Sequence, residues 1–146
     1  MVIFLAHATT TFIVAGMMWF LQLVHYPLLA EVGEATFVHY EQRHTRLAVR
    51  LVVSLMVVES LTGGWLLWRR PPGISPGQVW IGLVLLGMIW LSTFAWQVPQ
   101  HHVLATGFHP EAHRKLVSSN WIRTLCYSGR LALVLWMLLS VAGRSG

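Results

Sequence analysis

Four long apolar runs, separated by short polar stretches, organise the chain. They extend from about Val2 to Leu29, Leu47 to Trp68, Val79 to Val98 and Trp121 to Val141. About 20 apolar residues cross a bilayer as a helix, so each run is long enough to span one. The pattern predicts an all-α fold, a transmembrane four-helix bundle forming a single integral membrane domain over residues 1–146. Punctuation between the runs agrees. RRPPGISPGQ, residues 69–78, reads as a tight turn between the second and third spans. Pro99 marks a bend in the third span or its end. In GFHPEAHRKL, Pro110 suits the first residue of a short helix leading into the fourth span. GEATFVHYEQRHTRLAVRL is polar but helix-compatible, so the second helix is expected to start early as an amphipathic extension. No internal repeat or low-complexity tract interrupts the series. Short links favour up-down-up-down connectivity.

Four crossings sort the connections onto two faces. The N-terminus, the 69–78 turn and the C-terminus share one; the 30–46 and 99–120 connections share the other. His25, His39, His44, His101, His102, His109 and His113 all fall toward the second face, and only His7 toward the first. Arg43, Arg46, Arg50, Arg114, Lys115 and Arg123 lie at or near the histidine face, whereas Arg69, Arg70 and Arg144 lie at the other. The positive-inside rule then places the histidine face in the cytoplasm, in what reads as a bacterial cytoplasmic membrane.

Each span carries its polar residues on one side. At about 100° per residue, His7 and His25 project together from the first helix, with Gln22 on the same broad face. Glu41, His44, Ala48, Leu55, Glu59 and Thr62 form a stripe on the second. Trp90, Gln97 and His101 align on the third, and Asn120, Arg123, Tyr127 and Arg130 on the fourth. Polar groups in hydrocarbon need partners, so these stripes should face the bundle interior. Depth adds a pairing. Glu59 lies about 18 Å from Leu47 and Arg130 about 15 Å from Asn120, both measured from the histidine face, so an intramembrane ion pair is expected. Gln22 and Gln97 sit at matching depth, about one turn below His25 and His101.

Composition strengthens the membrane reading. The chain is 55% hydrophobic with 10% charged residues, too apolar for a soluble core of this size. Its net charge of +5 comes from bases flanking apolar segments, and no nucleic-acid motif accompanies them. The apolar start lacks a basic leader region and a small-residue cleavage site, so it reads as a retained first helix. Cys126 is the only cysteine, which leaves no internal disulfide and no thiolate cluster. Trp19, Trp65, Trp68, Trp80, Trp96, Trp121 and Trp136 are placed as interfacial anchors, with Trp90 the exception. Gly63-Gly64 permits close helix packing. No nucleophile triad or phosphate loop is present.

The histidine cluster is the main candidate for chemistry. His25 with His101 or His102 offers two imidazoles from different helices, which suits axial ligation of haem b, and His25, His44 and His101 suit an iron or copper site. The competing reading is interfacial histidines bonded to backbone or headgroups. Glu41 and His44, in EQRH, repeat the Glu-x-x-His spacing of di-iron bundles, but one copy and five acidic residues cannot furnish a full di-iron site. His109 and His113, in HPEAH, have the i,i+4 spacing of a ligand pair, or His109 simply flanks a helix start. Glu59 and Arg130 either handle protons or a substrate carboxylate, or form a structural pair that fixes helix register.

Three stretches together carry a family resemblance: VHYPLLAEVG with the following YEQRHTR, WLSTFAWQVPQHHVLATGF and HRKLVSSNWIRT. They resemble a group of short four-span bacterial integral membrane proteins of unknown function, distantly similar to the anthrone-oxygenase-like membrane family. The resemblance covers nearly the whole chain. It implies that His25, Pro27, Glu41, His44, Arg46, Gln97, His101, Asn120, Trp121, Arg123 and Thr124 match recurrent motif positions. Anthrone oxygenases act on polycyclic phenols with molecular oxygen, and carrying this over is an analogy of fold and motif. The expected function is a metal- or haem-dependent oxidoreductase or oxygenase. Glu41 would serve as ligand or base, and Arg123 and Arg130 would hold an anionic or phenolic, hydrophobic small molecule. Two alternatives stand beside it: a non-catalytic accessory subunit bound to other membrane subunits, and a small transporter using Glu59 and Arg130.

Overall fold

A computed structural model of the chain describes residues 1–143; Arg144, assigned above to the face opposite the histidines, lies outside the described residues. Four helices account for almost all of it: α1 (Val2–Leu29), α2 (Glu34–Leu66), α3 (Pro76–Leu104) and α4 (Pro110–Ala142). Each is long and apolar enough to cross a bilayer. The links are short, so consecutive helices run antiparallel as an up-down-up-down bundle.

Buried side chains stack in three layers along the bundle. At one end Phe4, Leu66, Ile74, Val79, Leu133 and Met137 pack together. Val14, Met18, Met56, Ile89, Cys126 and Tyr127 fill the middle. Tyr26, Leu29, Phe37, Leu104, Ala112 and Leu116 close the other end, where the histidines gather. The large apolar residues left outside, such as Leu61, Trp68, Leu91, Phe94 and Leu139, are the surface that lipid covers.

The helices outrun the expected spans, and most of the excess lies at the histidine end. α2 begins at Glu34, so the amphipathic extension is part of one continuous helix. α4 runs unbroken from Pro110 rather than through a separate short helix. α3 starts at Pro76, inside the stretch read as a turn. There Ser75 accepts a hydrogen bond from the Gln78 backbone N–H at 3.2 Å, and the Gln78 side chain accepts one from the Ser75 N–H at 2.8 Å. This capping box with Pro76 at the first helical position was legible in SPGQ.

Pro99 neither ends α3 nor stands alone. Proline lacks an N–H and its ring crowds the carbonyl four residues back. The helix answers by widening one turn: the Val98 N–H reaches back five residues to the Thr93 carbonyl, giving a π-turn over Thr93–Gln97. Pro27 has the same arrangement, with the Tyr26 N–H bonded to the Leu21 carbonyl and a π-turn over Leu21–His25. α2 carries a third π-turn, Val49–Val53, without a proline. All three lie in the half of the bundle that holds the histidines.

The link between α2 and α3 is constrained at Gly73. Its φ is +101°, and a Cβ there would lie 2.5 Å from the Ser140 carbonyl oxygen. Gly73→Ala is therefore expected to destabilise the fold by about 1–3 kcal/mol, read as a lower unfolding midpoint in detergent. Gly87→Ala, where an added Cβ meets nothing within 4 Å, should leave the midpoint unchanged or raise it.

Candidate functional site

Lipid offers no hydrogen bonds, so the state of each buried polar group separates structural clusters from functional ones. Two clusters occur, at different depths, and they differ in this respect.

The deeper one is closed. Glu59 Oε1 lies 2.9 Å from Arg130 Nη2, and the two residues are 0% and 1% exposed. Thr11 Oγ1 donates to Glu59 Oε1 at 2.6 Å and the Tyr127 hydroxyl to Oε2 at 2.9 Å. Arg130 Nη1 donates to the Gly82 carbonyl. His7 Nδ1 pairs with Thr62 Oγ1 at 2.9 Å one turn away. Arg130 Nε is the one polar side-chain atom left over. The adjoining cavity, between His7, Gly63, Gly82 and Arg130, is about 10 Å³, the size of one water. All four helices contribute, so the pair pins their mutual register. Arg130 was expected beside Arg123 in a substrate pocket. Its guanidinium is instead engaged by Glu59 and Gly82.

The second cluster lies at the histidine end. Glu41, 0% exposed on α2, accepts from His101 Nδ1 on α3 at 2.6 Å and from Thr45 Oγ1 at 3.1 Å. Nδ1–H is held by the carboxylate, and His101 Nε2 makes no hydrogen bond to the described residues. The His44 ring stacks on His25 with centroids 4.2 Å apart, and lies 5.9 Å from His101. Below them Gln22 and Gln97 meet α4: Asn120 Nδ2 donates to Gln22 Oε1 at 2.9 Å, and Gln97 Nε2 to Ser119 Oγ at 2.8 Å. The matched depth of the two glutamines is thus a shared layer on one stretch of α4.

Arg123 stands in this layer and is 5% exposed. No carboxylate pairs with it; among the described residues the ion pairs are His101–Glu41, Lys115–Glu111 and Arg130–Glu59. Its neighbour is the buried Tyr26. Arg123 Nε, His25 Nε2, Glu41 Oε2, Gln97 Oε1 and Asn120 Oδ1 are all buried without a hydrogen-bond partner. Such atoms are rare in native interiors and their gathering in one place marks a site.

The cluster opens sideways into a groove of about 720 Å³ between α2 and α3. His44, His101, Gln97, Thr93, Tyr26 and Arg123 form its polar end. Val49, Val52, Val53, Met56, Trp90 and Phe94 line the part that runs toward the bilayer centre. Trp90 donates its indole N–H to Ser60 Oγ at 3.0 Å and stacks on Phe94, which makes that wall rigid.

Among the described residues no three His, Cys, Asp or Glu side chains converge as a ligand set. His44 stacks on His25 and lies 5.9 Å from His101, so the three rings named as candidate ligands share one end of the bundle. The remaining histidines are dispersed. His113 Nε2 donates to the Tyr26 carbonyl at 2.8 Å, whereas His109 Nε2 lies 3.4 Å from Thr106 Oγ1, so the two rings of this i,i+4 pair go to separate partners, one backbone and one side chain. His102 borders the groove, and His39 is exposed on α2. Tyr26 and the groove's apolar wall were not anticipated. Tyr26 lay within an apolar run, and Val53 or Phe94 look like any lipid-facing position until α2 and α3 are seen to part. Comparison with protein-family models, curated proteins and solved structures finds no match.

The two intramembrane arginine sites should respond unequally to neutralisation. Glu59→Gln leaves Arg130 buried and unpaired and is expected to cost about 3–5 kcal/mol. Arg123→Gln removes a charge that has no carboxylate to strand, so its cost should be well below that of Glu59→Gln. Thermal unfolding of the purified variants in one detergent checks both.

Proposed function

We propose that the groove between α2 and α3 takes a lipophilic weak acid from the bilayer, with an ionisable oxygen at its polar end, and that the protein removes its proton. The observation that carries this is Arg123, a buried guanidinium without a counter-ion at the polar end of an otherwise apolar groove. An uncompensated charge at this depth is costly, and an oxyanion offsets it with a charge-assisted hydrogen bond. His101 supplies the base. Glu41 holds the Nδ1–H, fixes the tautomer and stabilises the imidazolium that forms when Nε2 takes the proton. The O–H bond of the ligand breaks, an N–H bond forms at His101, and the oxyanion stays on Arg123. Gln97, which lines the groove's polar end, accepts a hydrogen bond at Oε1 from a further hydroxyl on the ligand.

A phenol, hydroquinone or enol with an apolar body fits these requirements, since each has an acidic O–H and a face to lay against Trp90 and Phe94. Forming the oxyanion also raises electron density in such a ring, which is the preparation that oxidation of a phenol needs. The resemblance to proteins akin to anthrone oxygenases points the same way, and proton abstraction from a lipophilic weak acid is the function the site supports best. No step is assigned to a metal, because His25, His44 and His101 do not converge.

A 2-naphthol bearing an octyl chain is a direct probe, since naphthol and naphtholate absorb at different wavelengths. The wild-type protein in detergent is expected to lower the apparent pKa of the bound probe by at least about one unit, as charge-assisted contacts do. Arg123→Gln should abolish that shift, and His101→Asn, whose side-chain amide can still donate to the buried Glu41, should weaken binding. A bound naphthol whose ionisation is the same in wild type and Arg123→Gln would refute the assignment.

A further inference from the structure

A second groove, of about 590 Å³, lies on the opposite side of α2, between it and α1. It does not include Arg123 or His101, and the proposed reaction makes no use of it. Its walls are apolar over most of their length, with Met17, Phe20, Leu47 and Leu51 lining the part within the bilayer. Its polar end carries Arg43, Tyr40 and His25. We infer that this groove binds one anionic phospholipid, with the phosphate on Arg43 and an acyl chain laid along Leu47, Leu51, Phe20 and Met17 to Gly16.

Three observations support that occupant. The first is charge. Arg43 is exposed and has no carboxylate partner, because the ion pairs among the described residues involve His101, Lys115 and Arg130 alone. A guanidinium at the headgroup level meets phosphate through paired, charge-assisted hydrogen bonds. The second is Tyr40, which lines the groove's polar end beside Arg43 and is exposed. Its hydroxyl can donate to a headgroup or ester oxygen seated below the phosphate. The third is shape. Arg43 and Leu51 are about 12 Å apart along α2 at 1.5 Å per residue, so the groove starts at headgroup depth and ends inside the hydrocarbon. Gly16 forms its inner end, and a Cβ built there meets nothing within 4 Å. A chain therefore has room at that end of the groove.

Gly16 also provides the test, because a larger residue enters the groove without meeting its neighbours. Full-length protein purified in detergent is mixed with dioleoyl phosphatidylglycerol or dioleoyl phosphatidylcholine, and retained lipid is counted by native mass spectrometry. One phosphatidylglycerol should remain bound, with about a five-fold preference over phosphatidylcholine, as expected of a single basic side chain at the interface. Arg43→Gln should remove the preference, and Gly16→Leu should remove retention of both lipids, each with an unfolding midpoint like that of wild type. Arg123→Gln should retain phosphatidylglycerol normally, which separates this site from the naphthol groove. Equal retention of the two lipids by wild type, or undiminished retention by Gly16→Leu, overturns the inference.

Discussion

The ion pair between Glu59 and Arg130 is the constraint on which the rest of the bundle depends. Hydrocarbon cannot solvate either charge, so each must be neutralised by the other and by whatever donors lie near. Thr11 and Tyr127 complete the carboxylate, and the Gly82 carbonyl takes the guanidinium. These residues come from all four helices. Rotating α2 or α4 by one residue would strand a charge, and rotating α1 or α3 would remove a hydrogen-bond partner from the pair, so the cluster sets helix register in a solvent that gives apolar side chains little preference among neighbours. The three apolar layers then fill the space that this register defines.

Against that background the histidine end reads differently. Its polar residues are as deeply buried, yet its accounts are open: an arginine without a carboxylate, and a carboxylate, two amides and an imidazole each with an idle atom. The two arginines differ in their carboxylates: Arg130 has Glu59 at 2.9 Å, whereas Arg123 has none among the described residues.

Much of this was legible in the sequence. Hydrophobic run length gave four spans, connection parity put seven histidines at one end, and counting residues from a common face paired Glu59 with Arg130. These inferences rest on helix geometry, which is nearly invariant. What stayed hidden depended on departures from that geometry and on distances between helices. The π-turns change the angular register of α1, α2 and α3, and only the prolines at 27 and 99 hinted at two of them. Periodicity could place Arg123 and Arg130 on one stripe of α4 but could not divide them between two clusters. His25, His44 and His101 reach the same end, yet ring stacking, set by side-chain torsions, decides where their nitrogens point.

α2 is the least buried of the four spans. Its 54–66 half packs firmly against α1 and holds Glu59, whereas its outer half stands between the two grooves and forms a wall of each, with His44, Ala48 and Val52 common to both. A partition shared by two compartments makes their widths reciprocal. Any tilt of that outer half about the buried pivot at Glu59 narrows one compartment by as much as it widens the other, so the fold ties what fills one side of α2 to what the other side can admit.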